Sequence, residues 1–373
     1  MTMTARDAPR LLHLADVYLG AGFPWLGERG SAHRRRLRQT FADALSKGVA
    51  ERVDLVLIAG CLFGSSRPHP ELVEFVRAQL SRLAGGGIET VIAAGAADGL
   101  DAQGGYAGGA LDGLAGVTIL PAAPKVLEFP GLDLAVSGRS ATKGKEISDP
   151  LKGLTASKVR TVGLVAADLR RGGGAEALAR AAAATGFAYL ALGGSHRTLD
   201  LGSERVTAWY PGSLDLLART EPPGVALLVD LDREGTRVTP LPVARGRIHR
   251  LSLEPATYAT PEALTAEIQA LADPELMLEV RLGGRAHAAQ FIDVLALEQA
   301  LAPRFFALEI SDEAMPDPAA APAGPVGTTT VAGKFAELMA AQLQQAGSET
   351  ERRRIGSAQR LGLWLLARPS GRP

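Results

Sequence analysis

Cysteine is nearly absent from this chain, which has one in 373 residues. A single thiol excludes an internal disulfide and any metal cluster built from several cysteines. An excess of charge is also missing, because 40 basic residues are balanced by 40 acidic ones. No overall field therefore draws the protein onto nucleic acid or an anionic membrane, and any contact with DNA would have to be local.

Long hydrophobic runs are missing as well. No stretch approaches about 18 uninterrupted apolar residues, the length that spans a bilayer. Arg6, Asp7 and Arg10 precede the first apolar run, which is short. These features predict a cytoplasmic protein with no membrane contact. Hydrophobic residues still make up 46% of the chain, enough for a large core and for one large and one small domain.

The strongest strand signal is the run from Val53 to Gly64, VDLVLIAGCLFG. Its aliphatic residues end at Gly60, and the run is too short for a helix. Such a run predicts a central parallel strand that is covered on both faces. The residues that follow it lie at the carboxyl edge of the sheet, where open α/β folds bind ligands. Cys61 follows here, and the polar ligands expected at this edge are missing.

Strands and helices alternate along the chain, which predicts an α/β fold with parallel crossovers. Helices are expected at 31–50, with Ser31 as its N-cap, and at 70–83. Residues 209–213 are interpreted as a turn. Further strands are expected at 11–15, 89–94, 117–120, 132–137, 161–165, 188–192 and 225–230.

Composition and pattern divide the chain into four parts. We expect a main domain over 1–245 and a small β-α-β-α-β domain over 246–311. A linker rich in Pro, Ala, Gly and Thr follows over 312–330, and a helical tail over 331–373. The elements of the small domain are expected at 248–253, 261–272, 276–282, 291–301 and 305–310.

The tail is predicted to hold two amphipathic helices. Phe335 and Leu338 lie on one face of the first helix. Ser348 and Glu351 have the spacing of a capping box and predict the start of the second helix. Two apolar faces beyond a linker need a covering surface, either on this protein or on another.

Four arginines lie near the start of the first long helix, at positions 34, 35, 36 and 38. Their spacing favours a solvated helix face. The alternative is a patch that contacts phosphates, as in proteins that bind nucleic acid.

Short motifs at the strand ends resemble those of one family. They are LLHLAD, DLVLIAG, Gly95-x-x-Asp98, ALGxxH and WYPGS, in this order along the chain. Together they resemble the SbcD-type DNA repair exonucleases, which belong to the calcineurin-like metallophosphoesterases. The resemblance implies a metallophosphoesterase sandwich with a small α/β capping domain and a C-terminal helical tail.

The active family carries a dinuclear manganese site at these strand ends. By resemblance, the vestigial positions in this chain are Asp16, Tyr18, Cys61, Ala96, Asp98, Ala166, Gly194 and His196. Asp16 and His196 alone keep a residue of the ligand type. Because two divalent ions need several oxygen and imidazole ligands to clamp a phosphate, we expect no metal, no cofactor and no catalytic residue here.

Other roles remain open for individual residues. Asp16, Cys61 and His196 could together hold a single zinc ion, as a carboxylate, a thiolate and an imidazole. The favoured interpretation is that Cys61 packs as a small buried residue, Asp16 caps a loop and His196 bonds to backbone. Tyr18 either contacts phosphate or packs. His13 is expected to be a core or interface histidine.

The resemblance implies an SbcD-like pseudonuclease, a non-catalytic DNA repair subunit or scaffold that pairs with an SbcC-like SMC-family ATPase. Homodimer formation and contact with DNA are further implications. The tail residues expected to bind the ATPase are Phe335, Leu338, Leu361 and Trp364. The alternatives are docking of the tail within the chain, a DNA-binding module without an ATPase, and a metal-dependent DNA exonuclease or phosphodiesterase with a rebuilt, mononuclear site.

Overall fold

The structure is a computed structural model that divides into two compact units between Arg247 and Ile248. Among the described residues, no helix has both the length and the apolar character that crossing a bilayer requires. The structure describes residues 8–367 except 102–104, 107–108, 143, 146, 157–159, 171–173, 287–291 and 317–329. It leaves out the side chains of 315, 316, 349, 350, 353, 354, 357, 360, 361, 364 and 367.

The first unit contains twelve strands and three long helices in its described part. The strands are β1 (Arg10–Ala15), β2 (Leu55–Gly60), β3 (Glu89–Ala94), β4 (Val117–Ile119), β5 (Lys125–Phe129), β6 (Leu134–Arg139), β7 (Thr161–Ala166), β8 (Tyr189–Gly193), β9 (Leu199–Asp200), β10 (Thr207–Tyr210), β11 (Ala226–Leu231) and β12 (Thr236–Leu241). The helices are α1 (Gly30–Ala50), α2 (Pro70–Gly85) and α3 (Gly174–Ala183).

The strands form two six-stranded sheets. The first has the order β12-β11-β1-β2-β3-β4, with β1 to β4 parallel and β11 and β12 antiparallel at one side. The second has the order β5-β6-β7-β8-β10-β9, with a parallel centre and antiparallel strands at both edges. Every residue of β2 is buried, so the prediction of a central strand covered on both faces is confirmed.

The two sheets pack face to face. Leu57 and Val91 of the first sheet share one buried cluster with Val162 and Tyr189 of the second. The outer face of the first sheet is covered by α1 and α2, and that of the second by α3. The first unit is therefore a four-layer α/β/β/α sandwich, in agreement with the predicted α/β class.

The second unit has its own core. Its elements are β13 (Arg247–Leu253), α4 (Pro261–Ala270), β14 (Leu276–Leu282), β15 (Arg285–Ala286), α5 (Val294–Leu301), β16 (Ala307–Asp312), β17 (Met315–Pro316), α6 (Val331–Gln345) and α7 (Glu349–Ala367). The order β13-β14-β16, with α4 and α5 packed on the sheet, confirms the predicted β-α-β-α-β module.

The two tail helices form a hairpin. A Cβ atom at Gly362 would collide with the ring of Phe335, so this glycine allows α6 and α7 to approach closely. The Glu351 amide donates to Ser348 Oγ at 3.1 Å, the first of the two bonds of the expected capping box, whereas the Glu351 carboxylate accepts from the Gly347 amide at 3.0 Å rather than from the serine amide. Helix α7 also contacts β17.

Some local expectations were wrong. Ser31 lies inside α1, which begins at Gly30 directly after a 3₁₀ turn and without a side-chain cap. Residues 209–210 belong to strand β10, which pairs with β8 and β9, and the turn starts after them. The expected linker begins inside β16 and includes β17, and its residues 317–329 lie outside the described part, as does Phe291.

His13 lies between the sheets, as a core histidine. Its Nδ1 atom is 2.8 Å from the hydroxyl of Tyr189, which joins β1 to β8 across the sandwich. Burial lowers the pKa of His13 to about 3, and the nearby Leu192 backbone opposes this only in part. The ring is therefore neutral at ordinary pH, where it bonds to Tyr189 without carrying a buried charge.

This burial predicts a pH-dependent stability. The folded-state pKa of about 3 lies below that of an exposed histidine, so stability present above pH 6.5 is lost as the pH falls towards 3. The variant His13→Gln can bond to Tyr189 but cannot ionise. We expect it to reduce the slope of the free energy of unfolding against pH by up to about 1.4 kcal/mol per pH unit. Urea denaturation across this range measures it, with exposed His249→Gln as the control. Equal slopes for His13→Gln and the native chain would contradict the expectation.

Candidate functional site at the carboxyl ends of the strands

The vestigial positions lie at the carboxyl ends of strands from both sheets. Asp16 and Tyr18 follow β1, and Cys61 follows β2. Ala96 and Asp98 follow β3. Ala166 ends β7, and Gly194 and His196 follow β8. Ala96 and Ala166 are buried, and their methyl side chains cannot bind a metal or form a hydrogen bond. Any chemistry at this edge therefore depends on the remaining positions.

The segment after β1 runs beside the segment after β2. The amides of Asp16, Tyr18 and Gly20 donate to carbonyls between Ala59 and Phe63 at 3.2, 3.0 and 2.7 Å. Asp16 and Tyr18 have φ angles of 45° and 52°, a left-handed conformation that costs side-chain-bearing residues about 1–3 kcal/mol. The surrounding hydrogen bonds hold this strained backbone in place.

Asp16 connects the two sheets. Its Oδ2 atom accepts a hydrogen bond from the Gly194 amide at 2.6 Å, which links the end of β1 to the end of β8. Gly60 lies directly beneath this carboxylate, and a Cβ atom there would collide with it. The carboxylate that resembles a metal ligand is therefore used as a cross-link between strand ends, and it does cap a loop as expected.

Asp98 holds the loop after β2. Its Oδ2 atom accepts from the Phe63 amide at 2.7 Å. Burial raises the pKa of Asp98 to about 7, although the amides of Phe63, Gly64 and Leu62 favour the charged form. This buried carboxyl orders the loop through Oδ2, while its Oδ1 atom is buried and has no hydrogen-bond partner among the described residues.

Cys61 is a buried, protonated thiol. Burial raises the pKa of Cys61 well above its ordinary value, and the carboxylates of Asp98 and Asp16 raise it further. Gly95 lies against Cys61, with the position of its missing Cβ 2.9 Å from the Cys61 amide nitrogen. Buried to 4% exposure and packed against Gly95, Cys61 fits the expected role of a small buried residue.

His196 is paired with a carboxylate that the sequence reasoning missed. Its Nδ1 atom is 2.8 Å from Glu221 Oε2, where a bond to backbone was expected. The rings of Tyr18 and His196 meet edge to face, with centroids 5.4 Å apart. Glu221 lies 25 residues further along the chain, in a segment without helix or strand periodicity, so no local pattern marks it.

Tyr18 packs within the site. Burial raises the pKa of Tyr18 well above its ordinary value, and the neighbouring Cys61 and Asp16 act in the same direction. A Cβ atom at Gly64 would collide with this ring. The ring therefore fills the edge between the β1 and β2 segments, and the hydroxyl stays neutral.

This donor set does not suit a dinuclear manganese centre or a single zinc ion. Across the described ranges, no group of three or more His, Cys, Asp or Glu side chains is arranged to hold a metal. Asp16 is bonded to Gly194, His196 is paired with Glu221, and the Cys61 thiol is protonated. Asp16 and Asp98 are thus turned to backbone amides, while the pairing of His196 Nδ1 with Glu221 is one that metal-binding histidines also show.

In the tail, the expected binding residues have different environments. Phe335 is half-buried against Gly362 inside the hairpin, whereas Leu338 is 67% exposed. The side chains of Leu361 and Trp364 lie outside the described part. Val331, one turn before Phe335 on α6, is also exposed, and so are Leu365 and Leu366 near the end of α7.

A comparison of the chain with protein-family models found no match.

The site predicts the result of placing a carboxylate at position 61, where the resemblance would put a metal ligand. Cys61→Asp places a third carboxyl beside Asp16 and Asp98, and no cation is among the groups that shift the pKa of Cys61. We expect a loss of about 2–4 kcal/mol relative to Cys61→Ser, which grows as the pH rises because burial penalises the charged form. Chemical denaturation of both variants at acidic and alkaline pH measures this. Equal stability at alkaline pH, or manganese-dependent hydrolysis by Cys61→Asp, would refute the interpretation.

Proposed function

We propose that this protein is a non-catalytic scaffold of the calcineurin-like metallophosphoesterase type, an SbcD-like pseudonuclease. It acts as a DNA repair subunit that pairs with an SMC-family ATPase of the SbcC kind. The strand-end motifs carry the resemblance, and the four-layer sandwich with a small α/β module and a helical tail supports it.

The hydrogen bond from the Gly194 amide to Asp16 carries the proposal that catalysis is lost. In a hydrolytic centre of this type, carboxylates from several strand ends point at shared ions that activate a water. Here Asp16 points at backbone from the opposite sheet and Asp98 at the β2 loop. These contacts hold the strand ends together directly.

A second candidate function is a phosphodiesterase or exonuclease with a rebuilt, mononuclear site. The observation that favours it is the pair formed by His196 and Glu221, whose side chains are 33% and 35% exposed. A carboxylate that orients an imidazole is a common arrangement around metal ligands and general bases. His196 and Glu221 are therefore the residues that we would assign as metal ligand or general base if hydrolysis is found.

One experiment separates these two functions. We expect protein purified without chelators to contain no stoichiometric manganese and to leave linear double-stranded and single-stranded DNA intact. Elemental analysis and a gel assay with added manganese measure both properties. A metal content of about two manganese ions per chain, with nuclease activity abolished by Asp16→Ala, would reject the scaffold proposal. One metal per chain with activity lost in His196→Ala would favour the second candidate.

The exposed apolar residues of the hairpin support the proposed ATPase contact. Leu338 and Val331 are seven residues apart on α6 and so lie on one exposed face. Phe335, between them in sequence, packs against Gly362 of α7 inside the hairpin. Exposed apolar side chains grouped on a helical face are typical of helix-in-groove binding. The coiled coil of the ATPase is the proposed partner surface.

Leu338→Asp tests this contact. We expect it to reduce recovery of an SbcC-like ATPase in co-purification by about tenfold or more, because it places a charge in the apolar interface. Leu295→Asp is a matched control, since Leu295 is similarly exposed, at 63%, on α5. Circular dichroism verifies that both variants fold. Equal recovery with Leu338→Asp and the native chain would exclude this face as the docking element.

A further inference from the structure

Asp215 is a fully buried carboxylate that holds three parts of the first unit together. Its oxygens accept hydrogen bonds from Thr40 Oγ1 at 2.7 Å and from the amides of Leu216, Arg245 and Gly246 at 2.8, 3.3 and 3.1 Å. Thr40 is on α1, Leu216 is in the loop after β10, and the other two residues directly precede the end of the first unit. One side chain therefore fastens the segment by which the chain leaves this unit to a helix and a loop.

An ion pair fastens the same segment at the surface. The Nε and Nη2 atoms of Arg245 donate to Oδ2 of Asp43 on α1, at 2.9 and 2.7 Å. Asp43 is three residues after Thr40, so one flank of α1 presents both groups to the segment. The side chains of Arg245 and Asp43 are 41% and 33% exposed, whereas Asp215 is inaccessible. Salt therefore weakens the ion pair much more than the bonds to Asp215.

The approach of the backbone to Asp215 requires a glycine at position 246. A Cβ atom at Gly246 would collide with Oδ1 of Asp215 and would also crowd the side chain of Leu216. Glycine allows a backbone amide to come this close to a buried acceptor. A change at Gly246 can therefore break the contact from the side of the segment, without removing the carboxylate.

The position of these bonds determines where the first unit ends. Val243 still belongs to the apolar core that α1 covers. After it, Ala244 is half-buried, Arg245 is exposed and Gly246 has no side chain, so residues 244–246 are held by polar contacts. The division between the two units follows directly, after Arg247.

From this arrangement we propose that Asp43, Asp215, Arg245 and Gly246, here called the exit latch, form a conformational device that sets the length of the joint between the two units. With the latch closed, residues 244–246 are part of the first unit and the joint starts after Gly246. With the latch open, the free chain starts after Val243 and gains three residues, or about 10 Å of reach. Because no core side chain has to leave its place, the latch can open without unfolding either unit.

The latch is independent of the proposed scaffold function, although it borders the loop beside the candidate site. The Ser213 hydroxyl donates to the Asp215 carbonyl at 3.0 Å, and the Ser213 amide donates to the His196 carbonyl at 3.2 Å. These contacts use backbone carbonyls, so the latch needs neither the His196 ring nor the vestigial carboxylates nor the tail. The latch can therefore be refuted while the scaffold proposal holds, and the reverse is equally observable.

Hydrogen exchange of the full chain, read by mass spectrometry, tests the latch with two variants that open it from opposite sides. Asp215→Asn leaves one acceptor oxygen for four donors, and Gly246→Ala forces the segment away from the carboxylate. We expect the amides of 244–247 to exchange at least about tenfold faster in both variants, because exchange reports the open fraction. Exchange in β2 reports global unfolding and should accelerate by a smaller factor. Tryptic cleavage after Arg245 should accelerate in parallel.

Asp232→Asn and Gly131→Ala are the matched controls. Asp232 also accepts hydrogen bonds from backbone amides, those of Glu234 and Gly235, but in the turn between β11 and β12. Among the described residues, no atom beyond its chain neighbours lies within 4 Å of the place where a Cβ atom of Gly131 would be. Both controls should leave exchange at 244–247 within about twofold of the native rate.

Three results would overturn the proposal. The first is that residues 244–247 of the native chain exchange as fast as an unstructured peptide, because the latch would then be open already. The second is that exchange there is unchanged in both latch variants. The third is that β2 accelerates by the same factor as 244–247, because Asp215 and Gly246 would then support the whole unit rather than a local joint.

Discussion

The hydrogen bond between the Gly194 amide and Asp16 determines much of the architecture around the strand ends. It joins residues that are 178 positions apart and fixes the end of one sheet against the end of the other. Gly60 and Gly194 accommodate it, because a side chain at Gly60 would strike the carboxylate and Gly194 has a φ of 100°. The left-handed backbone at Asp16 and Tyr18 is then held by pairing with the β2 segment. Without the Asp16 carboxylate, the hydrogen bond to Gly194 that helps to offset the strained backbone of Asp16 and Tyr18 would be lost.

The central elements could be predicted closely from sequence because their residues face an apolar environment on every side. Strand β3 was expected at its observed bounds and β2 lies within the expected run, since neither has helical periodicity. Edge strand β5 was not predicted, because Lys125 and Glu128 interrupt its apolar residues where one side of the strand meets solvent. Strand β10 was interpreted as a turn because Pro211 and Gly212 follow it immediately.

The candidate site shows a similar division. The meeting of Asp16, Cys61 and Asp98 could be anticipated from the rule that parallel strands bring their carboxyl ends to one edge. That of His196, which follows β8 of the other sheet, was implied only by the resemblance. The actual partners of these residues could not be anticipated, because the Gly194 and Phe63 amides and the Glu221 carboxylate come from turns whose geometry no periodic pattern encodes. The arginine run is another example, since only packing reveals that Arg36 turns inward while its neighbours do not.

The layer between the sheets has a consequence for how the chain acquires its structure during synthesis. Leu11, Leu55 and Leu57 on the first sheet are covered by residues that extend to Ala191, and β1 gains its antiparallel neighbour only with β11. Because ribosomes deliver the N-terminal half first, this apolar surface stays uncovered while more than a hundred further residues emerge. A nascent chain with such a surface and an unpaired strand edge is prone to aggregation, and its contacts of long sequence separation make closure slow. The order of synthesis therefore leaves the inter-sheet surface open to aggregation until the second sheet has been made.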